Sequence, residues 1–582
     1  MRKIIYTCGA VVLTVLYPIG TQAQRQVNDS VLNRTVVVEQ EYNPNIMDAS
    51  KINVLPKVEP PTVSKKTVEY DTTLMPAGDM PASTMQAYTG IENQPEARHG
   101  YARLGYGIGN LDLRANYLFN LSKNDKLSLN FLMDGMNAKV KSPQFDFKMP
   151  EEADSPEIKI DMPEKWKSYQ YHTRAGLDYV HAFKNTDLNV AGNFDLRNFN
   201  MAPSSINSRQ KFTSGDMRIG IKSTTDALPL QFHAEANFSL FQRRFYYNHY
   251  DATEYTIGIK AGAIGKISEE QYVGLELAMD NLSYSKPSLK SNTFVELNPY
   301  YLFENEEWKI RLGAHIDLAS GLDNKLHVAP DITLQYTFSD SYILYAQATG
   351  KRHINDFRRM ATINPHSDCD HYNERPNATY ERINAALGFK MSPVDGLWFN
   401  MYGGYQELKN DLAPILLLYQ HYVLEGNENP QVIDPNNYRH FYRICMENIN
   451  TSNMYAGAEI RYDYKNTIAF TAKGIYRNWK ASEKEKNSVL WFKPAFEADF
   501  NIDIRPVSSV TINLGYQHLR REKTEGINVN TISNLNIGGS YELFDNISIY
   551  ARINNLLNKN NQYYPYYSAQ GINFLGGMSF RF

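Results

Sequence analysis

Residues 490–504 read LWFKPAFEADFNIDI. The even positions are Leu490, Phe492, Pro494, Phe496, Ala498, Phe500, Ile502 and Ile504, and the odd positions after Trp491 include Lys493, Glu497, Asp499, Asn501 and Asp503. Successive side chains of an extended chain point to opposite faces, so this stretch predicts a strand with one apolar and one charged face. SVTINLGYQHL (509–519) sets Val510, Ile512, Leu514 and Tyr516 opposite Thr511, Asn513, Gly515 and Gln517, and IAFTAKGIYR (468–477) keeps Thr471, Lys473 and Arg477 on its polar side. Length separates two explanations. A soluble sheet with one wet face alternates in the same way, but soluble strands usually run about five or six residues. A tilted strand that crosses a bilayer needs roughly 9–11 residues for the hydrocarbon alone, and the pattern here is sustained for longer.

The connections sharpen the reading. From Gly100 onward, short breaks such as KND (123–125), KNTD (184–187), KISEE (266–270), ENEE (304–307), SPVDG (392–396) and YKNT (464–467) alternate with longer ones. The longer ones include 141–165, 200–210, 242–254, 358–376, 411–451, 478–488 and 558–571. Segregation of loop length by parity is the plan of an outer-membrane barrel, with short periplasmic turns and long extracellular loops. The expected fold is an all-β, antiparallel transmembrane barrel of about 22 strands over residues 100–582. The 41 tyrosines suit aromatic girdles at both membrane interfaces. A mean hydropathy of −0.48 is no objection, because only the outward half of each strand must be apolar.

The start of the chain differs. Arg2 and Lys3 precede an apolar run from Ile4 to Gly20 and small residues at Thr21 and Ala23, which reads as a signal peptide over 1–23. An uncleaved anchor is disfavoured by the short run and Pro18. Residues 24–99 carry prolines at 56, 60, 61, 76 and 81 with little periodicity and read as an extended periplasmic segment. After Ala23 no apolar stretch is long enough for a membrane helix. A net charge of −3 argues against a nucleic-acid surface.

The C-terminal residues ISIYARINNLLNKNNQYYPYYSAQGINFLGGMSFRF resemble the last two strands of TonB-dependent outer-membrane receptors. In that family a penultimate strand leads into an N-L-x-N-K motif, a Tyr-rich loop and a final strand ending in Phe. Here these are Asn555, Leu556, Asn558 and Lys559, then Tyr563, Tyr564, Tyr566 and Tyr567, then Gly571 and Phe582. The resemblance implies a 22-strand receptor barrel in the outer membrane, with Phe574, Met578, Phe580 and Phe582 facing lipid on the closing strand and serving as the signal read by the barrel-assembly machinery. The 76 residues of 24–99 fall well short of the family's plug domain. The wide lumen is then filled by that segment, by inward-folded loops, or by another outer-membrane or lipoprotein subunit. NRTVVVEQEY (33–42) resembles the TonB box through Thr35, Val36, Val37 and Val38, a β-branched segment suited to adding a strand to TonB. Its bland alternative is a short local strand.

Few residues point to chemistry. Cys369 and Cys445 both fall in loops of the expected fold, and export to an oxidising compartment suits a disulfide between them. HSDCDHYNE (366–374) offers His366, Cys369 and His371 to a soft metal, or Asp368, Asp370 and Glu374 to calcium; the bland reading is a polar surface loop, with no cofactor. GYGIG (105–109) is expected inside a strand with no helix after it, which excludes a nucleotide loop. No hydrolase or nucleotide-binding motif is present, so an enzyme is not expected. The functions left open are receptor-like uptake, a non-transporting barrel subunit of a larger complex, and a diffusion porin.

Overall fold

The computed structural model describes residues 99–141, 164–201, 209–224, 230–243, 252–287, 289–321, 325–338, 341–367, 377–422, 438–465, 467–482, 490–522, 530–564 and 567–582, with the side chains of 416–443 excepted. Twenty-two long strands make the wall. They are β1 (Gly100–Gly107), β2 (Asn110–Asn120), β3 (Asp125–Lys141), β4 (Lys165–Ala182), β5 (Thr186–Asn200), β6 (Arg209–Ser223), β7 (Leu230–Arg243), β8 (Ala252–Lys266), β9 (Gln271–Tyr284), β10 (Asn292–Glu304) and β11 (Trp308–Ser320). The wall continues through β12 (Leu326–Phe338), β13 (Tyr342–Thr349), β14 (Thr379–Val394), β15 (Leu397–Tyr422), β16 (Tyr438–Tyr464), β17 (Ile468–Ala481), β18 (Pro494–Val507), β19 (Val510–Arg521), β20 (Ile532–Phe544), β21 (Ile547–Asn554) and β22 (Asn573–Arg581). Each pairs antiparallel with its sequence neighbours, and β22 returns to β1 with Tyr101 opposite Arg581 and Gly107 opposite Leu575. Closure leaves no sheet edge, the condition for a spanning sheet in lipid. No helix among the described residues is long and apolar enough to cross a membrane.

The period-two pattern sets the two faces. Leu129, Phe131, Met217, Ile219, Ile257, Ile259, Phe500 and Ile512 point outward and are exposed on the isolated chain. Their alternates, Asn130, Asp216, Arg218, Lys260, Asp499 and Asn513 among them, line the lumen. On β22 Phe574 and Met578 are exposed and Leu575 is buried; just beyond it Phe582 is exposed, and its carbonyl accepts from the amides of His99 (2.9 Å) and Gly100 (2.8 Å).

Four local expectations are corrected. GYGIG is not strand interior: β1 ends at Gly107 and turns back through Ile108–Gly109, with Gly109 at φ +73°, a conformation open to glycine. This hairpin is the first extracellular connection and is short, an exception to the alternation of lengths. The stretch 411–451 is not one long loop: β15 and β16 run 26 and 27 residues and stay paired from Asp411 opposite Ile449 up to Tyr422 opposite Tyr438. Cys445 is therefore a buried strand residue. Leu490, Trp491 and Phe492 do not face lipid; they form a turn buried in the extracellular end of the barrel, and the strand starts at Pro494, where the missing amide costs no ladder bond in mid-wall. Finally, part of 358–376 is helical.

Candidate functional site: a loop cap over a charged lumen

At the extracellular end, chain folds inward against the barrel wall. Three segments do this: the stretch after β13, the turn at Leu490–Phe492, and the loop between β21 and β22. After β13 the chain makes a helix, α1 (Phe357–Ile363). The sequence DFRRMATINP explains it. Asp356 caps the N-terminus by accepting from the Arg359 amide (2.6 Å), Phe357, Met360 and Ala361 fall on one face at helical spacing, and the Asn364 amide closes the last turn on the Met360 carbonyl (2.9 Å). That face meets Phe199, Phe212 and Phe241 from the lumen side of β5 to β7, together with Trp491, Phe492, Leu519 and Ile532. Met360 and Ile532 are wholly buried.

Polar contacts fix the helix in place. The buried Glu254 carboxylate on β8 accepts from the Phe357 amide (3.2 Å), placing an anion at a helix N-terminus, where the dipole favours it. Arg358 holds Asp216 on β6 through two hydrogen bonds of 3.2 and 2.7 Å. Arg243 donates to the Ser367 carbonyl. The His366 ring stacks on Tyr567 at 3.3 Å and meets the edges of Tyr564 and Phe199. Burial pushes His366 down to about 3, so it is neutral in the closed cap.

The Tyr-rich loop supplies the other half. Asn555 and Asn558, the asparagines of the N-L-x-N-K stretch, both sit in the left-handed region (φ 49° and 50°), which asparagine tolerates better than most residues. Asn555 also donates to the carbonyls of Lys559 (2.8 Å) and Gln570 (3.0 Å), stapling the base of the loop. Tyr563 donates to Gln517 (3.0 Å), and Arg521 donates to the carbonyls of Gln562 (2.9 Å) and Tyr563 (2.6 Å). Burial raises Tyr564 to about 12. A second apolar cluster, Leu408, Ala413, Ile449, Trp479 and Leu490, anchors the Leu490 turn beside the buried Lys493–Asp411 ion pair (2.5 Å).

Below the cap the lumen wall is charged and internally paired. Asp195 takes His172 (2.6 Å) and Arg174 (3.2 Å), Asp331 takes Arg311 (2.8 Å) and Asn298 (3.0 Å), and Glu296 takes His315 (2.6 Å). Directly under α1 lies a cavity of about 290 Å³ lined by Arg174, Asp195, Arg197, Asp216, Arg358 and Thr362. The arrangement places an apolar cluster above a polar, charged stretch of lumen wall.

Of the residues singled out in the sequence, Thr35, Val36, Val37 and Val38 lie outside the described residues, as do Asp368, Cys369, Asp370, His371 and Glu374. His366 is described, and it belongs to the cap. No group of three or more His, Cys, Asp and Glu suited to a metal occurs among the described residues.

No family model matches the chain, and no curated protein matches it in sequence. Solved structures do match it. The ferric enterobactin receptor of Pseudomonas aeruginosa in complex with enterobactin is 11% identical with a TM-score of 0.60, over 83% of this chain and 81% of that one. The chain shares its barrel fold with this receptor. The FrpB iron transporter from Neisseria meningitidis gives 9% identity and a TM-score of 0.58 over 83% and 81%, and the siderophore receptor PirA from Acinetobacter baumannii gives 10% and 0.56 over 83% and 80%. At this identity the likeness is one of fold. It agrees with the receptor resemblance of the C-terminal stretch and with an outer-membrane location, and these neighbours are transport receptors rather than enzymes.

Proposed function

We propose that the chain is an outer-membrane uptake barrel of the TonB-dependent receptor type, shut at its extracellular mouth by its own loops and opened to pass a solute. The observation that carries this reading is the joining of a receptor-barrel fold to a packed cap built from α1, the Leu490 turn and the Tyr-rich loop. A diffusion porin needs an open lumen, and a cap core with wholly buried Met360 and Ile532 argues against one. Thr35–Val38 is the segment proposed to add a strand to TonB. Binding of the purified TonB C-terminal domain to the full chain tests this, with Val36→Pro and Val37→Pro introduced together. Loss of binding is expected, and equal binding by both chains overturns the TonB assignment.

A second reading has an observation of its own. Beyond Lys409 and Thr451 the β15–β16 ribbon has no strand partner but itself for about twelve residues a side, and its base is packed at the mouth through buried Leu412, Ala413, Ile444 and Ile449. A self-paired ribbon of this length suits a barrel that serves as a subunit of a larger assembly. A stoichiometric protein that co-purifies in mild detergent, and is lost when residues 414–446 are shortened to a tight turn, would favour the subunit reading over uptake by the barrel alone.

A further inference from the structure

The barrel rim has a step beside its seam. β1 and β2 turn back at Ile108–Gly109, with Asn110 opposite Met136, whereas β3 and β4 stay paired for five more residues, up to Lys141 opposite Lys165. The step leaves a groove of about 590 Å³, lined by Tyr106, Leu111, Asn137, Lys139, Lys167 and Tyr171. The register shows which way it faces. Val140 and Trp166 are opposite one another, buried and inward, with Trp166 meeting Tyr567 of the cap edge to face. Their neighbours Lys139, Lys141, Lys165 and Lys167 therefore point outward, on the same row as the exposed Leu129 and Phe131 of β3 and Leu177 of β4.

This outward row reads as a membrane cross-section. On β3 it runs Leu127, Leu129, Phe131, Met133, Gly135, Asn137, Lys139, Lys141, and on β4 it ends Tyr171, Tyr169, Lys167, Lys165. Twelve residues separate Leu127 from Lys139, about 40 Å of strand, or roughly 28 Å of height at a tilt near 45°. That is the thickness of the hydrocarbon layer. The lysines thus stand at the outer headgroups, with a tyrosine girdle below them. Gly135 makes room for the Tyr171 ring, since a Cβ there would come within 2.2 Å of Tyr171 Cδ1. The cations are also paired wrongly for the sheet itself: Lys139 lies directly opposite Lys167, and Lys141 opposite Lys165. Like charges so placed destabilise a strand pair, and none of the four enters an ion pair with a described residue.

We infer that this face binds a phosphate-bearing lipid of the outer leaflet. The phosphate sits among Lys139, Lys141, Lys165 and Lys167 and relieves their repulsion, and an acyl chain lies in the groove against Leu111, Tyr106 and Tyr171. Phosphate charge and apolar tail are both needed to match the surface, which selects a lipid over a soluble anion.

The test uses the purified full chain in detergent with phosphatidylcholine, phosphatidylglycerol or a bis-phosphorylated acylated disaccharide, and native mass spectrometry to count retained lipid. The wild type is expected to retain the two anionic lipids about tenfold over phosphatidylcholine, and excess inorganic phosphate should not displace them. Lys139→Gln, Lys141→Gln, Lys165→Gln and Lys167→Gln together should abolish the preference. A folded barrel is recognised by its altered migration in unheated gels. Should the fourfold variant not fold, Lys139→Glu with Lys165→Glu carries the test, because it turns each like-charged pair into an opposite-charged one and still removes the lipid preference. Equal retention of charged and zwitterionic lipid by the wild type, an undiminished preference in the folded variants, or displacement by inorganic phosphate overturns the inference.

Discussion

Met360 gives the cap a quantitative test. Its side chain is fully buried between the lumen wall and the neighbouring loops, so Met360→Ala removes three heavy atoms from a packed site. Substitutions of this kind cost about 2–5 kcal/mol. The wall is held by continuous strand ladders that do not include α1, so the loss falls on docking of the cap rather than on the barrel, as a local opening equilibrium. At about 2.7 kcal/mol the open population rises roughly a hundredfold, each 1.4 kcal/mol being a factor of ten. Single-channel recording in a planar bilayer should show open events about a hundred times as frequent as in the wild type. Limited trypsin digestion supplies an independent readout, because Arg358 and Arg359 lie within α1 and are cut only when it undocks. If cleavage at these arginines rises in Met360→Ala while conductance stays at the wild-type level, the cap is not the permeation barrier and the gating argument fails.

Further outcomes are expected. For pH, burial lowers His366 to about 3 from an ordinary 6.5, so the docked cap binds fewer protons than the undocked one between those values. Docking is fully stabilised above about pH 6.5 and weakens as the pH falls toward 3. Hydrogen exchange at residues 357–363, expressed as a protection factor against the intrinsic rate at each pH, should show protection falling on acidification, and less so in His366→Gln. At the seam, a Cβ on Gly577 would lie 2.1 Å from the Leu104 carbonyl oxygen, whereas one on Gly576 comes no closer than 3.3 Å to any neighbour. Gly577→Ala should therefore reduce the fraction of folded, heat-modifiable barrel, and Gly576→Ala should leave it near wild type. Asn555→Ala removes two side-chain bonds to backbone carbonyls at a left-handed residue and should destabilise the Tyr-rich loop by about 2–3 kcal/mol, read as faster proteolysis between β21 and β22.

Much of the wall could be read from period two alone, because a barrel strand obeys one rule along its whole length: outward apolar, inward polar. The rule failed where side chains answer to the cap instead. Leu490 and Phe492 continue the apolar alternation of 494–504, yet they are buried inside, since an apolar residue suits lipid and a dry core equally well. Pro494 was the available warning that the ladder starts there. Helix α1 also had its signal, an aspartate cap, apolar residues three and four apart and an Asn-Pro stop, but it lay in a stretch already assigned to a loop by its length. Cys445 falls in the stretch 411–451, which reads as one of the longer connections, whereas the structure pairs that stretch as a two-stranded ribbon. The convergence of α1, Trp491 and Tyr564 was beyond sequence reading, since these residues are distant in the chain and share no pattern.

The position of the Tyr-rich loop ties the lid to the seam of the barrel. It is the last connection in the chain, leading directly into the strand that closes the wall on β1. Its ring at Tyr567 is the surface on which His366, from the middle of the chain, comes to rest. The partner for the central loop therefore lies on the hairpin that closes the sheet. Sealing of the mouth and circularisation of the sheet thus draw on the same hairpin, so a change that displaces it reaches both the wall and the lid.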